Sequence, residues 1–259
     1  GYELTQKLAS NLGFNNSIVP NRTSLETSIN YLLALSFQGM ILGKIANEIY
    51  ILMSQSINEI SEKQTKGQVG SSTMPHKVNP VIILQVIEEA AILRGKASTT
   101  IEAGMPLHEG DLRYNKIVDN LIKDSTVLSL KLSQKFNSML NNLLINSKQM
   151  QRNLLNEKDY IASENLMYKL GKYLGRQEAH DLIHLIIKKS IKNNLSAKEQ
   201  FLNDPVISKY FTTADVEKIL NPLKYIGESK KISLKMSKFG IKKATEIHAR
   251  STSKNLLIR

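Results

Sequence analysis

Eleven residues from Gly70 to Pro80, GSSTMPHKVNP, gather two adjacent serine hydroxyls, a threonine, an imidazole, an ammonium and a carboxamide. Asn79-Pro80 reads as the cap and first residue of a helix, because Asn accepts from free amides and Pro has no amide to satisfy. The open amides and positive dipole end of such a helix favour an anion. Lys77 adds a full positive charge and Asn79 adds amide donors, so a carboxylate or phosphate suits the place. A serine at position 71 or 72, held in that field, can have its alkoxide stabilised enough to take a proton. The proton worth taking lies alpha to the bound carboxylate, where donors aimed at the site meet the developing charge. The alternative is a polar surface loop with a helix cap, and spacing by itself leaves the two open. The spacing is not that of a Walker phosphate loop, since Lys77 follows Gly70 by seven residues.

Long helices must hold this loop. From about Ser24 to Glu62, apolar residues such as Ile29, Leu32, Leu33, Met40 and Ile45 recur at three and four residues, which is helical periodicity. Leu35, Leu42, Ala46, Met53 and Ile57 make a second apolar face, so this nearly forty-residue helix is expected to be covered on more than one side, by its own domain and by other subunits. A second helix is predicted from Pro80 to about Glu102, stopping at Gly104-Met105-Pro106, and a third from roughly Lys116 to Ile145. Residues 1–12 read as the end of a helix. Beyond residue 146, Gly171, Gly175, Pro205, Pro222 and Gly227 punctuate several short helices. The expected fold is all-α, with a central long-helix bundle over 1–146 and a small C-terminal helical domain over 147–259.

Composition narrows the function classes. The chain has 259 residues, 41% of them hydrophobic, and no cysteine, which removes disulfides and cysteine metal sites. No apolar run reaches the roughly 18 residues of a membrane span, no signal peptide is evident, and a cytoplasmic setting without membrane contact is expected. The net charge of +12 admits nucleic-acid binding, but the basic residues are scattered and no nucleic-acid motif occurs. The favoured reading is a lysine-rich surface attracting small anions; the densest patch, Ile186 to Asn194, reads as a solvated helix face and end. His180 and His184 stand four apart, but without a third ligand they are not expected to bind metal. No cofactor is expected.

GSSTMPHKVNP resembles the signature loop of the fumarase/aspartase superfamily, which includes adenylosuccinate lyase, argininosuccinate lyase and 3-carboxy-cis,cis-muconate cycloisomerase. Every fixed position of the pattern is met. The long helices around the loop resemble that family's central bundle, and GRQEAHDL (175–182) and NPLKYIG (221–227) resemble its C-terminal helical domain. The resemblance implies homotetramers whose active sites combine loops from three subunits, acting on a small polycarboxylate. It implies Ser71 as the catalytic base, Lys77 and Asn79 as holders of the substrate carboxylate, and Ser72, Thr73 and Met74 as further lining of the loop. His76 stands at a slot that varies across the family, and reads equally as a substrate contact or a surface residue. The resemblance also implies that the family's threonine/serine and histidine loops precede this chain, leaving it one face of the site.

Two departures bear on the substrate. Many members place a glutamate seven residues after the loop lysine, where this chain has Leu84. In Ala103 to Lys116, His108, Glu109 and Asp111 resemble the HERD run of adenylosuccinate lyases, but Gly110 replaces the arginine. His108 reads as a helix-start residue and Glu164 as structural. Met105-Pro106 and the GRQEAH run look more like the cycloisomerase branch. The expected function is proton abstraction alpha to a carboxylate, with 3-carboxy-cis,cis-muconate cycloisomerase-like activity ahead of adenylosuccinate lyase. The reading from another class, a helical structural oligomer without activity, has no need of Ser71, Lys77 and Asn79 together.

Overall fold

The structure, a computed structural model, describes residues 1–15, 25–63, 79–108 and 110–252. The chain divides into two compact units, Gly1–Gln149 and Met150–Arg259.

The first unit holds α1 (Tyr2–Leu12), α2 (Glu26–Leu52), β1 (Ile60–Glu62), α3 (Val81–Ala103), α4 (Leu112–Asn141) and β2 (Leu143–Ile145), with the start of α5 (Ser147–Asn156). Helices α2, α3 and α4 pack on one another. Ser36, Gly39, Gly43 and Ala46 form a buried small-residue stripe on α2. There the α3 backbone comes so close that a methyl group at Gly39 would sit 3.0 Å from the Ala90 carbonyl oxygen. Arg94 of α3 donates from Nη1 to the Gly39 carbonyl at 3.2 Å. Polar ties bring in α4: the Tyr31 and Thr126 hydroxyls lie 2.8 Å apart, and Lys135 meets Glu89 at 2.6 Å. Leu32, Ala103, Val118 and Leu121 fill one end of the core.

The elements differ from the sequence expectation where short polar residues take over the backbone. The long first helix stops at Leu52 rather than near Glu62. The apolar period runs on through Met53 and Ile57, but the serines and Asn58 beyond Leu52 favour turns over helix. Asn58 takes a left-handed conformation at φ 51°, its amide reaching the Ser54 carbonyl at 2.7 Å. Residues 60–62 then run extended and pair antiparallel with β2, Ile60 opposite Ile145 and Glu62 opposite Leu143. The third helix accordingly begins earlier, at Leu112, and ends at Asn141, with Asn142 as its C-cap. The fold remains helical, with this small two-stranded sheet added. Contrary to the expectation that no segment is apolar enough, α2 has the length and hydropathy of a membrane-crossing helix. Its glycine stripe lies against α3.

The second unit contains α6 (Lys158–Ile161), α7 (Ser163–Leu174), α8 (Arg176–Asn193), α9 (Ala197–Asn203), α10 (Pro205–Tyr210), α11 (Thr213–Ile219), a 3₁₀ turn (Pro222–Lys224) and α12 (Ser229–Thr252). Leu166, Leu170, Ala179, Ile183, Phe201 and Val216 are among its buried core. Side-chain caps delimit its short helices. Ser196 accepts from the Glu199 amide, Asp204 caps α10 ahead of Pro205, and Thr212 and Asp215 form a reciprocal capping box. At the end of α8, Asn194 turns left-handed at φ 52°, while Lys188, Lys189 and Lys192 face outward, as the solvated-patch reading expects.

Candidate active site

Ser71, Ser72, Thr73, Met74, His76 and Lys77 lie outside the described residues, as does Glu109. What the structure describes is the frame into which the loop is set. The chain reaches it through β1 and leaves it at Asn79, which is exposed, and Pro80.

The cap of α3 differs from the sequence reading by one residue. Val81 is the first helical residue, Pro80 takes the cap position without a side-chain cap bond, and the Leu84 amide closes the first turn on the Pro80 carbonyl at 3.2 Å. The amide of Ile83, the third residue of α3, is met by Glu62. Its Oε1 accepts at 2.9 Å, and the Glu62 residue is 8% exposed. The acid is held because β1 is held: Lys63 donates its amide to the Asn142 carbonyl at 2.8 Å, continuing the β1–β2 pairing. The two ends of the loop are therefore clasped together by one charge-assisted hydrogen bond. Sequence reasoning missed Glu62. The available signal was the alternation Ile60-Ser61-Glu62, which puts Ile60 and Glu62 on the buried face.

Glu62 also alters the electrostatics expected at this helix end. A carboxylate already sits on the third amide, so part of the dipole's positive end is offset before any ligand arrives. The amides of Val81 and Ile82 have no partner among the described residues. Leu84 is 43% exposed and belongs to an outward apolar face, not to a packed acid–base pair.

The second region with family-like residues is the turn into α4. His108 is left-handed at φ 55° and Gly110 stands at φ 137°, a conformation a side chain at 110 would resist. That accounts for glycine where the resembled run has arginine. Asp111 caps α4 through the Arg113 amide at 2.9 Å, and its carboxylate also takes the Arg113 guanidinium. The Arg113 side-chain bond, then its backbone bond, hold the Asp111 carboxyl below the usual range. His108 lies in the turn that precedes this helix start, ahead of the Asp111 cap, rather than at the start itself as the sequence reading had it.

The remaining polar residues singled out in the sequence are Glu164, His180 and His184. Tyr225 donates its hydroxyl to Glu164 at 3.0 Å; desolvation first, and that bond second, push the phenol up. The His180 and His184 rings stack at 6.0 Å, and His180 Nδ1 lies 3.0 Å from Asp181. Among the described residues no group of three His, Asp or Glu side chains could hold a metal ion.

Residues 2–94, a span that includes the loop, match the model of a family described as "Lyase", and residues 159–235 match one described as "Adenylosuccinate lyase C-terminus". The chain belongs to the fumarase/aspartase superfamily. Among other members, it is 31% identical over 230 residues to N-acetyl-S-(2-succino)cysteine lyase of Dickeya dadantii, covering 88% of this chain and 50% of the relative. It is 28% identical over 232 residues to adenylosuccinate lyase of Archaeoglobus fulgidus, covering 89% and 52%. The superfamily fold is shared with the 3-carboxy-cis,cis-muconate lactonizing enzyme of Pseudomonas putida, at TM-score 0.74 and 24% identity over 87% of this chain and 50% of that one. A fumarate lyase of Mesorhizobium sp. BNC1 superposes at TM-score 0.76, with 20% identity over 88% and 50%. The chain spans about half the length of the relatives it matches.

Proposed function

We propose that this chain supplies one face of a superfamily active site that cleaves a succinyl-substituted amine or thiol. Ser71 removes the proton alpha to one carboxylate of the succinyl group. Lys77 and Asn79 hold that carboxylate while negative charge builds on it. The bond from the adjacent carbon to nitrogen or sulfur then breaks, the leaving atom takes a proton, and the four-carbon product departs as fumarate. The observation that carries this reading is the complete GSSTMPHKVNP pattern, in a chain whose curated relatives at 28–31% identity are named for such substrates. A second reading, 3-carboxy-cis,cis-muconate cycloisomerase-like ring closure, is favoured by Leu84, which stands where many members carry a glutamate. Both begin with the same proton and the same carboxylate. A cytoplasmic setting and a homotetramer with shared sites go with either reading. Supporting assembly, Phe37, Ile41 and Ile51 of α2 and Leu130 of α4 are each more than half exposed in the single chain.

Parallel assay of the complete protein with adenylosuccinate, N-acetyl-S-(2-succino)cysteine and 3-carboxymuconate discriminates the two. Turnover of a succinyl substrate is expected, and turnover of the muconate alone reverses the order. With the best substrate, Ser71→Ala should leave binding nearly intact and lower kcat by about 10²–10⁴-fold, the usual contribution of a general base. Lys77→Ala should weaken binding and turnover together, because its charge acts on ground and transition states alike. Near wild-type kcat in Ser71→Ala places the base elsewhere.

A further inference from the structure

Within the second unit, α7, α11, Phe211 and the 3₁₀ turn enclose an open hollow of about 370 Å³. That is within the roughly 300–1,000 Å³ range of small-molecule sites. Its lining includes four lysines, Lys169, Lys172, Lys218 and Lys224. Two other lysines of this unit have partners: Lys198 reaches Glu217 at 2.7 Å, and Lys209 lies 5.5 Å from the Tyr210 ring. None of the four in the hollow lies within ion-pair distance of a carboxylate among the described residues. The carboxylate lining it, Asp215, turns Oδ2 to the Thr212 amide and hydroxyl at 3.0 and 2.6 Å. The hollow thus carries four lysines against one lining carboxylate, Asp215, which acts on Lys218 through space and is itself bonded to Thr212.

Its scaffold is fixed. The Thr212–Asp215 box starts α11, Asn221 caps the turn that carries Lys224, and Asn165 donates to the Ile219 carbonyl at 2.9 Å, joining α7 to α11. The lining is also aromatic. Tyr173 stacks on Tyr210 with ring centres 4.8 Å apart and meets the edge of Phe211 at 5.7 Å, which holds both lining rings in place. Clustered ammonium groups attract phosphate as point charges, and a pre-set aromatic face accepts a flat ring.

We propose that this hollow is a binding site for a ring-bearing organic phosphate of nucleotide size. The four lysines hold the phosphate, and Tyr173 with Phe211 receives the ring. The proposal does not depend on the lyase reading, because its readout is binding rather than turnover.

Calorimetric titration of the protein with uridine monophosphate, inorganic phosphate and uridine tests it. The nucleotide should bind saturably and at least about tenfold more tightly than either part, since both charge and ring are recognised. Lys172→Gln/Lys218→Gln should weaken it by at least about tenfold, whereas Lys188→Gln, on the exposed side of α8, should not. Circular dichroism checks that the double variant folds; if it does not, Lys169→Gln/Lys224→Gln replaces it. Absence of saturable binding, inorganic phosphate binding as tightly as the nucleotide, or full affinity in the folded double variant would each overturn the proposal.

Discussion

Glu62 is a carboxylate taken out of water for the sake of one backbone amide. Removing it leaves the buried Ile83 N–H without its acceptor, a loss comparable to that of a helix cap. Glu62→Ala should therefore lower stability by about 0.5–2 kcal/mol, read as a reduced urea midpoint with an unchanged slope. No change would mean that water or a neighbour serves the amide equally well. At this scale the sequence was partly legible. It identified the loop pattern and the helix that follows, because cap residues and Pro announce a helix start locally. It did not identify the acid that serves that start, because Glu62 and Ile83 are 21 residues apart and only folding brings them together. Nor did it place Leu84, whose type suggests burial although its side chain is 43% exposed. Its truncation to Ala should consequently cost less than a core leucine would.

The contact between α2 and α3 rests on what two glycines lack. A methyl at Gly43 would fall 2.3 Å from Arg94 Nη1, and one at Gly39 would fall 3.0 Å from the Ala90 carbonyl and 3.2 Å from Leu93 Cβ. The shorter distance is the less serious, because a guanidinium can swing aside while a helix backbone cannot. Gly39→Ala should destabilise by about 1–3 kcal/mol, as overpacking does, and by more than Gly43→Ala, despite the helix propensity that both gain. Thermal unfolding of the two variants decides the order, and equal losses would mean that the helices slide freely. Helical periodicity made α2, α3 and α4 readable in kind and approximate place. Their ends were less so, because turns at Ser54 to Asn58 and the pairing of Ile60 with Ile145 depend on partners distant in sequence.

Seen as a single chain, the molecule leaves Phe37, Met40, Ile41 and Ile51 of its most apolar helix substantially in water. Apolar surface of this kind marks a site of association, and light scattering at micromolar concentration should give a mass above that of one chain, with a tetramer expected. A folded monomer would show that these residues tolerate solvent. The superfamily could be anticipated from the loop pattern; the choice among substrates could not, because the reactions share their first step. The clasp between Glu62 and Ile83 has one more consequence. It ties the point where the chain leaves β1 to the point where it enters α3, so one side chain sets both places between which the intervening residues run. A substitution at Glu62 is thus felt at both of those places at once.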